Sequence, residues 1–355
     1  MGQGPTRARQ DAGSDTEGGS PLRWGWPRPK ILPVKPLLAL SVGDPSGIGP
    51  EIAPPSVAAV REEARVIVLG HGAVRPDWIP EIDAPASLGS DGVGWIDTGG
   101  PARWELGEVQ ASCGAAALGA LRRGHEIALA GEVDALVTGP VNKAAMHAAG
   151  EQVEGQTELL SRWSGAERYE MMGFAGSLRV MLATRHVSLR TALDRLTTEH
   201  VLDRLLFLGT ALRSIGLVDP LVAVAGLNPH AGEGGLFGRE EIEVLTPAIE
   251  QARAAGMNVV GPVAPDSVFV RGLRGELDAV LALYHDQAFI PLKLAGAHSG
   301  VTFIPGLPYR RFSPMHGTAF DIVGKRRPDG QPVADPGNLT EALRVASRIT
   351  RRIAE

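Results

Sequence analysis

The sequence contains a single cysteine, Cys113, among 355 residues. One thiol excludes an internal disulfide, and we expect the chain to work in a reducing cytoplasm. Cys113 lies in the run ASCGAAALGAL, whose small residues are typical of a closely packed helix. No partner for a reactive thiol is suggested nearby. We therefore predict that Cys113 is a core residue and not a nucleophile.

Long apolar runs and an excess of basic residues are also absent. No run approaches the ~18 residues of a membrane helix. The formal net charge of −5 gives no basic footprint for nucleic acid. The first thirty residues lack the apolar segment of a signal peptide, and their mixture of Gly, Ser, Pro and charged residues predicts a disordered extension over residues 1–34. The sequence thus favours neither a membrane partner nor a nucleic-acid partner.

Short aliphatic strands alternate with helical segments along nearly the whole chain. Strands are predicted over residues 35–42, 65–69, 134–138, 178–183, 221–225, 258–260 and 278–284. Helices are predicted over residues 106–132, 197–216 and 240–256. This alternation predicts an α/β fold with a mainly parallel sheet. A chain of this length favours two domains, at roughly 150 residues per domain.

Chemistry-bearing residues gather where predicted strands end. His285 and Asp286 directly follow a buried strand, and Lys293 comes eight positions after His285. His186 and His230 follow two other strands. In open α/β sheets, ligands bind outside the carboxyl ends of the strands. We therefore expect these side chains to lie on one edge of the sheet, where Asp286 and Lys293 are candidate catalytic residues.

Three histidines at one topological level suggest a metal site. Neutral imidazoles suit Zn²⁺, Ni²⁺, Fe²⁺ or Co²⁺, and three protein ligands with an open position are typical of a catalytic metal. Taken singly, each histidine also fits a hydrogen-bonded loop residue, and Lys293 fits a solvated one. The histidines interpreted as structural are His71, His125, His147, His200 and His298.

Glycine-rich turns offer further binding sites. The loop SVGDPSGIGPEI (41–52) would leave backbone N–H groups free at a helix start, where an anion can bind. The turn GPVNK ends in Lys143, which would meet a phosphate or carboxylate as a point charge. The segment 316–321 joins a His-Gly-Thr turn to an aspartate, which suits the ribose hydroxyls of an adenosine.

Taken together, these motifs resemble the 4-hydroxythreonine-4-phosphate dehydrogenase family from about residue 37 to the C-terminus. They are SVGDPSGIGPEI (41–52), LVTGPVNKAAMHAAG (136–150), GQTELL (155–160), LATRHVSLRTAL (182–193), GLNPHAGEGG (226–235), YHDQAFIPLK (284–293), GLPYRR (306–311) and HGTAFDIVGK (316–325). The last motif also resembles the HGSAPDIAGK loop of isopropylmalate dehydrogenases, whose fold the family shares. That loop lies against the adenosine of NAD.

The resemblance implies two α/β/α domains with the active site in the cleft between them. We expect residues 35–140 and 305–355 to form a first domain on the NAD side. Residues 141–304 would form a second domain that carries the metal, the substrate and the dimer contacts. A homodimer with a shared active site, acting on a small phosphorylated substrate, follows from the same resemblance.

The resemblance also assigns roles to individual residues. The implied ligands of one divalent metal (Zn, Mg or Co) are His186, His230 and His285, with His285 reaching across from the partner subunit. The implied substrate-binding residues are Gln156, Thr157, Lys293, Thr302 and Arg311. The implied binding residues for NAD or NADP are His316, Gly317, Thr318 and Asp321. Lys293 and Asp286 would serve catalysis.

The implied reaction is a metal-dependent, NAD-linked oxidation and decarboxylation of 4-phosphohydroxy-L-threonine to 3-amino-2-oxopropyl phosphate and CO₂. Three positions depart from the family pattern, because Gln156, Thr302 and Met315 stand where the family has His, Asn and Asp. These changes leave open a related substrate: threonate or erythronate 4-phosphate, or a dihydrodiol carboxylate from aromatic breakdown. From the residues alone, a three-histidine zinc hydrolase or a metal-binding regulatory protein also remains possible.

Overall fold

The computed structural model describes residues 35–90 and 92–351. The predicted extension over residues 1–34 lies outside the described residues. The strands are β1 Leu37–Ser41, β2 Arg65–Gly70, β3 Val93–Asp97, β4 Ala135–Thr138, β5 Met172–Ala175, β6 Leu178–Leu182, β7 Val222–Ala225, β8 Val259–Val263, β9 Ala279–Ala282, β10 Val301–Phe303 and β11 Arg311–Pro314.

Helices flank these strands. They are α1 Gly49–Val60, α2 Ala111–Leu129, α3 Lys143–Ala148, α4 Gln156–Ser164, α5 Leu189–Arg195, α6 Thr198–Ser214, α7 Thr246–Ala254, α8 Pro265–Leu273, α9 His285–Ala295 and α10 Gly337–Thr350. A π-helical turn, Glu241–Leu245, leads directly into α7. Helices α2, α6 and α7 lie within the segments predicted to be helical.

The strands form one sheet in the order β3-β2-β1-β4-β11-β10-β5-β6-β9-β7-β8. Among the described strands, pairing is parallel on both flanks and antiparallel only from β11 through β10 and β5 to β6. The expected α/β fold with a mainly parallel sheet is confirmed. In such a sheet the loops that carry function gather at the carboxyl ends of the parallel strands.

The β10–β11 hairpin joins the two flanks of the sheet, because β11 pairs with β4 and β10 pairs with β5. The predicted domain boundary near residue 305 falls inside this hairpin. Strands β3, β5, β10 and β11 had no counterpart among the predicted strands. The division into two domains stays a prediction, in which the hairpin would be the connection between them.

The core is aliphatic, as the low aromatic content requires. Leu, Ile, Val and Ala fill both faces of the sheet, with Trp95, Phe174 and Phe312 as the largest buried rings. Cys113 is fully buried in α2, and burial raises the pKa of its thiol. Its interpretation as a core residue fits this position. Among the residues described, no helix is both long enough and apolar enough to cross a membrane.

Candidate active site

Arg311 is the centre of a polar cluster on the sheet. It is the first residue of β11 and is paired in register with Leu136 of β4, yet it is only 3% exposed. Its Nη2 donates to Thr138 Oγ1 at 2.6 Å, and its Nη1 lies 3.4 Å from Thr157 Oγ1 at the start of α4. A strand end and a helix start thus hold one guanidinium group from two sides.

Gln156 completes this cluster. Its Nε2 donates to the carbonyl oxygen of Gly139 at 3.0 Å, which turns its Oε1 toward Arg311 Nη2 at 3.4 Å. A neutral amide therefore stands beside the guanidinium and adds no charge to the site.

A cavity of about 260 Å³ opens beside Arg311. It is lined by Val141, Lys143, Met146, Glu154, Gly155, Gln156, Thr157, Met171, Thr302, Arg311 and Ser313. Four of the five predicted substrate-binding residues therefore line a single cavity, and Lys293 is the exception. The cavity adds Ser313 and a second cation, Lys143, which the GPVNK turn had signalled but which the assigned set omitted.

The charge of Arg311 has no carboxylate hydrogen-bonded to it in the described part of the chain. Burial lowers the pKa of Arg311 to about 10, so the guanidinium stays protonated at neutral pH. Its buried Nε has no hydrogen-bond partner within the described ranges. A buried cation is costly unless it is paired. The site is therefore suited to an anionic ligand that accepts hydrogen bonds from the guanidinium.

Two of the three predicted metal ligands lie together. Because β6 and β9 are neighbours, the loops after them bring the rings of His186 and His285 to a centroid distance of 5.4 Å. His285 begins α9, where its Nδ1 lies 2.7 Å from Asp286 Oδ1 and its ring stacks on Phe289 at 4.5 Å. A carboxylate that holds one ring nitrogen fixes the orientation of an imidazole ligand.

His230 lies apart from this pair. Within the described ranges, no three His, Cys, Asp or Glu side chains are grouped so that they could hold a metal. The assignment of His285 to the partner subunit stays a prediction, and within one chain the ring of His285 lies beside that of His186. His230 is the histidine that one chain alone does not bring to the pair.

The loop that carries His230 has an unusual backbone. Residues 230–234 all have positive φ, between 44° and 80°, although His230, Ala231 and Glu233 are not glycines. The buried carboxylate of Glu241 holds the loop, because its Oε1 accepts from the backbone N–H groups of Leu227 and Asn228 at 2.8 and 2.7 Å. Backbone strain of this kind persists only when the surroundings enforce it.

A second cavity, of about 400 Å³, lies beside His186. Glu154 lines both this cavity and the Arg311 cavity, so the two adjoin. Inside the second cavity Glu170 forms ion pairs with Arg185 and Arg204. Asp286 and Lys293 are exposed on α9 and line neither cavity.

The predicted cofactor loop packs against the first glycine-rich loop. The carbonyl oxygen of Thr318 accepts from the N–H of Ile48 at 3.0 Å, and a Cβ added at Gly47 would lie 2.9 Å from Thr318 Cβ. The buried Nε2 of His316 has no hydrogen-bond partner in the part of the chain that the structure describes.

Gly317 and Asp321 stand at the open side of this loop. A Cβ added at Gly317 would meet nothing within 4 Å, and Asp321 is exposed. Open space at Gly317 beside an accessible carboxylate is compatible with a nucleotide that has ribose hydroxyls.

Asp44 is a buried carboxylate that sequence reasoning missed. It lies in the β1–α1 loop, where its Oδ1 accepts from the backbone N–H and the hydroxyl of Ser46 at 2.9 and 2.7 Å. Burial raises its pKa. The motif GDPSG contained the only signal, because an aspartate two residues before a serine is typical of a side-chain-closed turn.

An α/β sheet with a cavity around a buried arginine, a pair of histidines and an open glycine-containing loop defines a class of α/β enzyme. The family model described as "Pyridoxal phosphate biosynthetic protein PdxA" matches residues 71–346. The chain therefore belongs to this family, which confirms the predicted family, the fold class and the oxidoreductase class.

Individual relatives agree with this membership. The chain is 41% identical over 317 residues to a D-threonate 4-phosphate dehydrogenase of Salmonella typhimurium, which covers 84% of this chain and 96% of the relative. It is 38% identical over 327 residues to a 4-hydroxythreonine-4-phosphate dehydrogenase of Beijerinckia indica subsp. indica, over 88% and 94% of the two chains. The crystal structure of a 4-hydroxythreonine-4-phosphate dehydrogenase from Klebsiella pneumoniae is similar at a TM-score of 0.76 and 38% identity, over 90% of this chain and 99% of that one.

Proposed function

We propose that this chain oxidises and decarboxylates a four-carbon hydroxy acid that is phosphorylated at C4, with NAD or NADP as the hydride acceptor. The cavity around Arg311 is the observation that carries the proposal. A buried guanidinium held by neutral oxygens, in a cavity that Lys143 and Glu154 also line, matches the charge of a phosphate group.

D-threonate 4-phosphate is the first candidate substrate, because a relative at 41% identity carries that name. 4-Phosphohydroxy-L-threonine is the second candidate. Glu154 lines both cavities, and its carboxylate would accept a hydrogen bond from the ammonium group of that substrate. The two acids differ at C2, where one has a hydroxyl and the other an ammonium, so a direct comparison of rates decides between them.

The histidine pair fits a divalent cation. Neutral imidazoles suit Zn²⁺ or Co²⁺ better than Mg²⁺, and Asp286 supplies the carboxylate that orients His285. When bound, a metal would polarise the substrate oxygens as a Lewis acid. His186 lines the cavity of about 400 Å³, which adjoins the Arg311 cavity at Glu154, so His186 and His285 would hold the metal beside the substrate.

The loop 316–321 would hold the nicotinamide nucleotide, with Asp321 toward the ribose. When bound, the nucleotide supplies the acceptor for a hydride. Arg311, Thr157 and Gln156 would fix the phosphate end of the substrate and so orient the carbon that loses the hydride. Holding a reactive atom in place accounts for much of an enzyme's rate enhancement.

The two steps balance in atoms and electrons. The C3–H hydride leaves with its electron pair, and the C3 hydroxyl loses its proton, which leaves a β-keto acid. The bond between C1 and C2 then breaks, CO₂ leaves, and a proton is taken up at C2. D-threonate 4-phosphate would yield dihydroxyacetone phosphate, and 4-phosphohydroxy-L-threonine would yield 3-amino-2-oxopropyl phosphate.

A homodimer is part of the proposal, because one chain places only two histidines together. An apolar groove of about 640 Å³ runs between α8 and α9, where Ile290 is 60% exposed and Leu294 is 79% exposed. Exposed Phe237 lies 6.3 Å from the ring of His230. A second copy that covers these apolar surfaces would bring its His230 toward the His186–His285 pair of the first.

Lys293 lies on the exposed face of α9, one residue from Leu294 of the groove. In such a dimer, Lys293 and Asp286 would act at the subunit interface and not inside the cavity of their own chain. A cytoplasmic location is proposed as well, since the single cysteine is reduced and buried.

The test is a comparison of substrates with the purified protein. NAD⁺ or NADP⁺ is added with Zn²⁺ or Co²⁺ and each of the two phosphorylated acids, and NADH or NADPH and CO₂ are followed with and without a chelator. We expect equal amounts of reduced cofactor and CO₂ from one acid, with turnover that the chelator removes. A protein that oxidises neither acid would contradict the proposal.

A further inference from the structure

A partly buried hydrogen bond joins α2 to the β10–β11 hairpin, and neither of its residues lines the Arg311 cavity. His125 of α2 is 6% exposed, and its Nδ1 lies 2.8 Å from the hydroxyl of Tyr309 in the β10–β11 hairpin. The two rings meet edge to face at a centroid distance of 5.6 Å. Residues that are 184 positions apart thus join α2 to the hairpin.

His125 also contacts α4. Its ring lies 5.7 Å from the ring of Trp163, over which the guanidinium of Arg122 lies at 4.3 Å. Leu160 and Tyr309 belong to the same buried cluster. One histidine of α2 therefore contacts both elements that build the cavity, because α4 begins with Gln156 and Thr157 and the hairpin continues into Arg311.

Tyr309 is coupled to Arg311 along the chain. It lies in a bend two residues before Arg311, which is the first residue of β11. Arg310, the residue between Tyr309 and Arg311, is fixed to β4, because its carbonyl oxygen accepts from the N–H of Leu136 at 2.9 Å. A shift of Tyr309 toward or away from α2 would therefore move the guanidinium relative to Thr138 and Thr157.

The pair is neutral at physiological pH. Burial lowers the pKa of His125, and burial raises the pKa of Tyr309. One group donates and the other accepts, so the bond holds without a net charge next to the cationic Arg311. The far side of the hairpin is fixed as well, because Gly306 has φ +101° and packs against the carbonyl oxygen of Arg168.

We propose that His125 and Tyr309 are positioning residues for the phosphate end of the substrate. Their hydrogen bond fixes the hairpin and α4 on α2, so that the guanidinium of Arg311 and the hydroxyl of Thr157 converge on one anion. This inference rests on the proposed function, in which the phosphate binds at Arg311. It assigns both residues an indirect role, since neither lines the cavity.

Tyr309→Phe is the central variant, because it removes only the hydroxyl. We expect KM for the phosphorylated acid to rise about tenfold, as for one lost hydrogen bond. We expect kcat to change by less than about twofold and KM for the nicotinamide cofactor to stay the same, since the loop 316–321 is elsewhere.

The matched control is Thr340→Val. Thr340 Oγ1 donates to Ser56 Oγ at 3.0 Å in a buried contact between α1 and α10, away from the cavity. A buried hydrogen bond stabilises the fold wherever it lies, so we expect both variants to lose Tm. Only Tyr309→Phe should raise KM. An equal rise in KM for Thr340→Val would overturn the positioning role.

Rescue by a conservative replacement separates the hydrogen bond from simple packing. His125→Gln keeps an amide that can bond to the Tyr309 hydroxyl, whereas His125→Leu does not. We expect a KM near that of the wild type for His125→Gln and a KM like that of Tyr309→Phe for His125→Leu. The double variant His125→Leu/Tyr309→Phe should be no worse than either single variant, because both remove one interaction. Additive losses would overturn the inference.

A failure of the proposed function can be distinguished from a failure of the positioning role of His125 and Tyr309. If the wild type oxidises neither acid, the proposed function fails, and hydrogen exchange then tests the inference without a substrate. We expect the amides of residues 311–313 to exchange faster in Tyr309→Phe than in Thr340→Val at equal Tm. Equal exchange rates in the two variants, or an unchanged KM in an active Tyr309→Phe enzyme, would show that the hydrogen bond does not position Arg311.

Discussion

The guanidinium of Arg311 is held by the oxygens of Thr138, Thr157 and Gln156, which leaves its charge for a ligand. A buried arginine opposite a carboxylate would already be neutralised, and an incoming phosphate would have to compete with that partner. Neutral oxygens instead fix the planar group in place while its positive charge remains available. This is why the cavity fits a phosphate better than an apolar or cationic ligand.

Arg311→Lys tests the geometry of this contact and keeps the charge. A lysine offers a point charge where the guanidinium offers a fork, so we expect KM for the phosphorylated acid to rise roughly 10- to 100-fold. The neighbouring Arg310→Lys is the control, because Arg310 is exposed and lies outside the cavity. Steady-state kinetics measure both variants. Unchanged KM in Arg311→Lys would rule out a bidentate contact.

Sequence motifs predicted four of the eleven residues that line this cavity as substrate-binding residues. Gln156, Thr157 and Arg311 lie at the start of a helix or a strand, where polar side chains stand out against an apolar pattern. The His125–Tyr309 contact was not predicted, because its two residues are far apart in sequence and each alone looks like an ordinary buried ring. The separation of His230 from its two partners was not predictable from spacing either.

At the scale of elements, two of the four strands that were not predicted, β5 and β11, were missed for a physical reason. Strand β11, RFSP, contains the buried polar residues Arg311 and Ser313, so it has no continuous apolar run. Strand β5, MGFA, contains Gly173, where a Cβ would lie 2.3 Å from Leu292 Cδ1 of α9. In β11 a polar site residue interrupts the hydrophobic pattern that identifies the other strands. In β5 a glycine that is needed for a close helix contact interrupts it.

The β1–α1 loop and the loop 316–321 support each other, and Gly47→Ala tests this contact. The added methyl group would lie 2.9 Å from Thr318 Cβ, so the cofactor loop must shift. We expect KM for the nicotinamide cofactor to rise about tenfold with little change in KM for the phosphorylated acid. Gly119→Ala is the control, because its methyl group would meet Thr98 O at an ordinary 3.4 Å. Equal cofactor affinity in both variants would disprove the role of the loop.

Helix α10 packs on α1 and contains the buried acid Glu341. This acid predicts a stability that depends on pH. Burial raises the pKa of Glu341 to about 7, against the opposing effect of Arg348, whose Nη1 lies 3.4 Å from its Oε1. The folded state therefore favours the protonated acid. The protonated side chain of Glu341 contributes fully to the free energy of unfolding below pH ~4.5. This contribution is lost as the pH rises through about 7, and the loss is roughly 3 kcal/mol at most.

Glu341→Gln removes this titration and keeps the shape of the side chain. We expect the wild type to lose stability between pH 5 and pH 8 relative to the variant, so that the variant has the higher Tm at pH 8. Urea unfolding at several pH values measures the difference. Glu62→Gln, at a side chain that is 95% exposed, is the control and should follow the wild type. A parallel pH profile for Glu341→Gln would contradict the raised pKa.

At the scale of the whole molecule, the metal site depends on which histidines share a chain. The motifs placed His186, His230 and His285 at strand exits, but a single sequence does not specify which subunit contributes each one. The structure puts His186 and His285 together because β6 and β9 are adjacent in the sheet. His230 follows β7 on a left-handed loop, and its ring lies beside that of exposed Phe237.

Mixing inactive subunits tests this division. Each site of the proposed dimer uses His186 and His285 from one subunit and His230 from the other. A mixed dimer of His186→Ala and His230→Ala subunits therefore keeps one intact site, and random exchange should restore about 25% of the wild-type activity. A mixture of His186→Ala and His285→Ala subunits should restore no activity, because every subunit then lacks one of the two histidines that a single chain must supply to a site. Recovery in the second mixture but not in the first would place His285, and not His230, across the interface. No recovery in either mixture, from subunits shown to exchange, would mean that the site is not shared between chains.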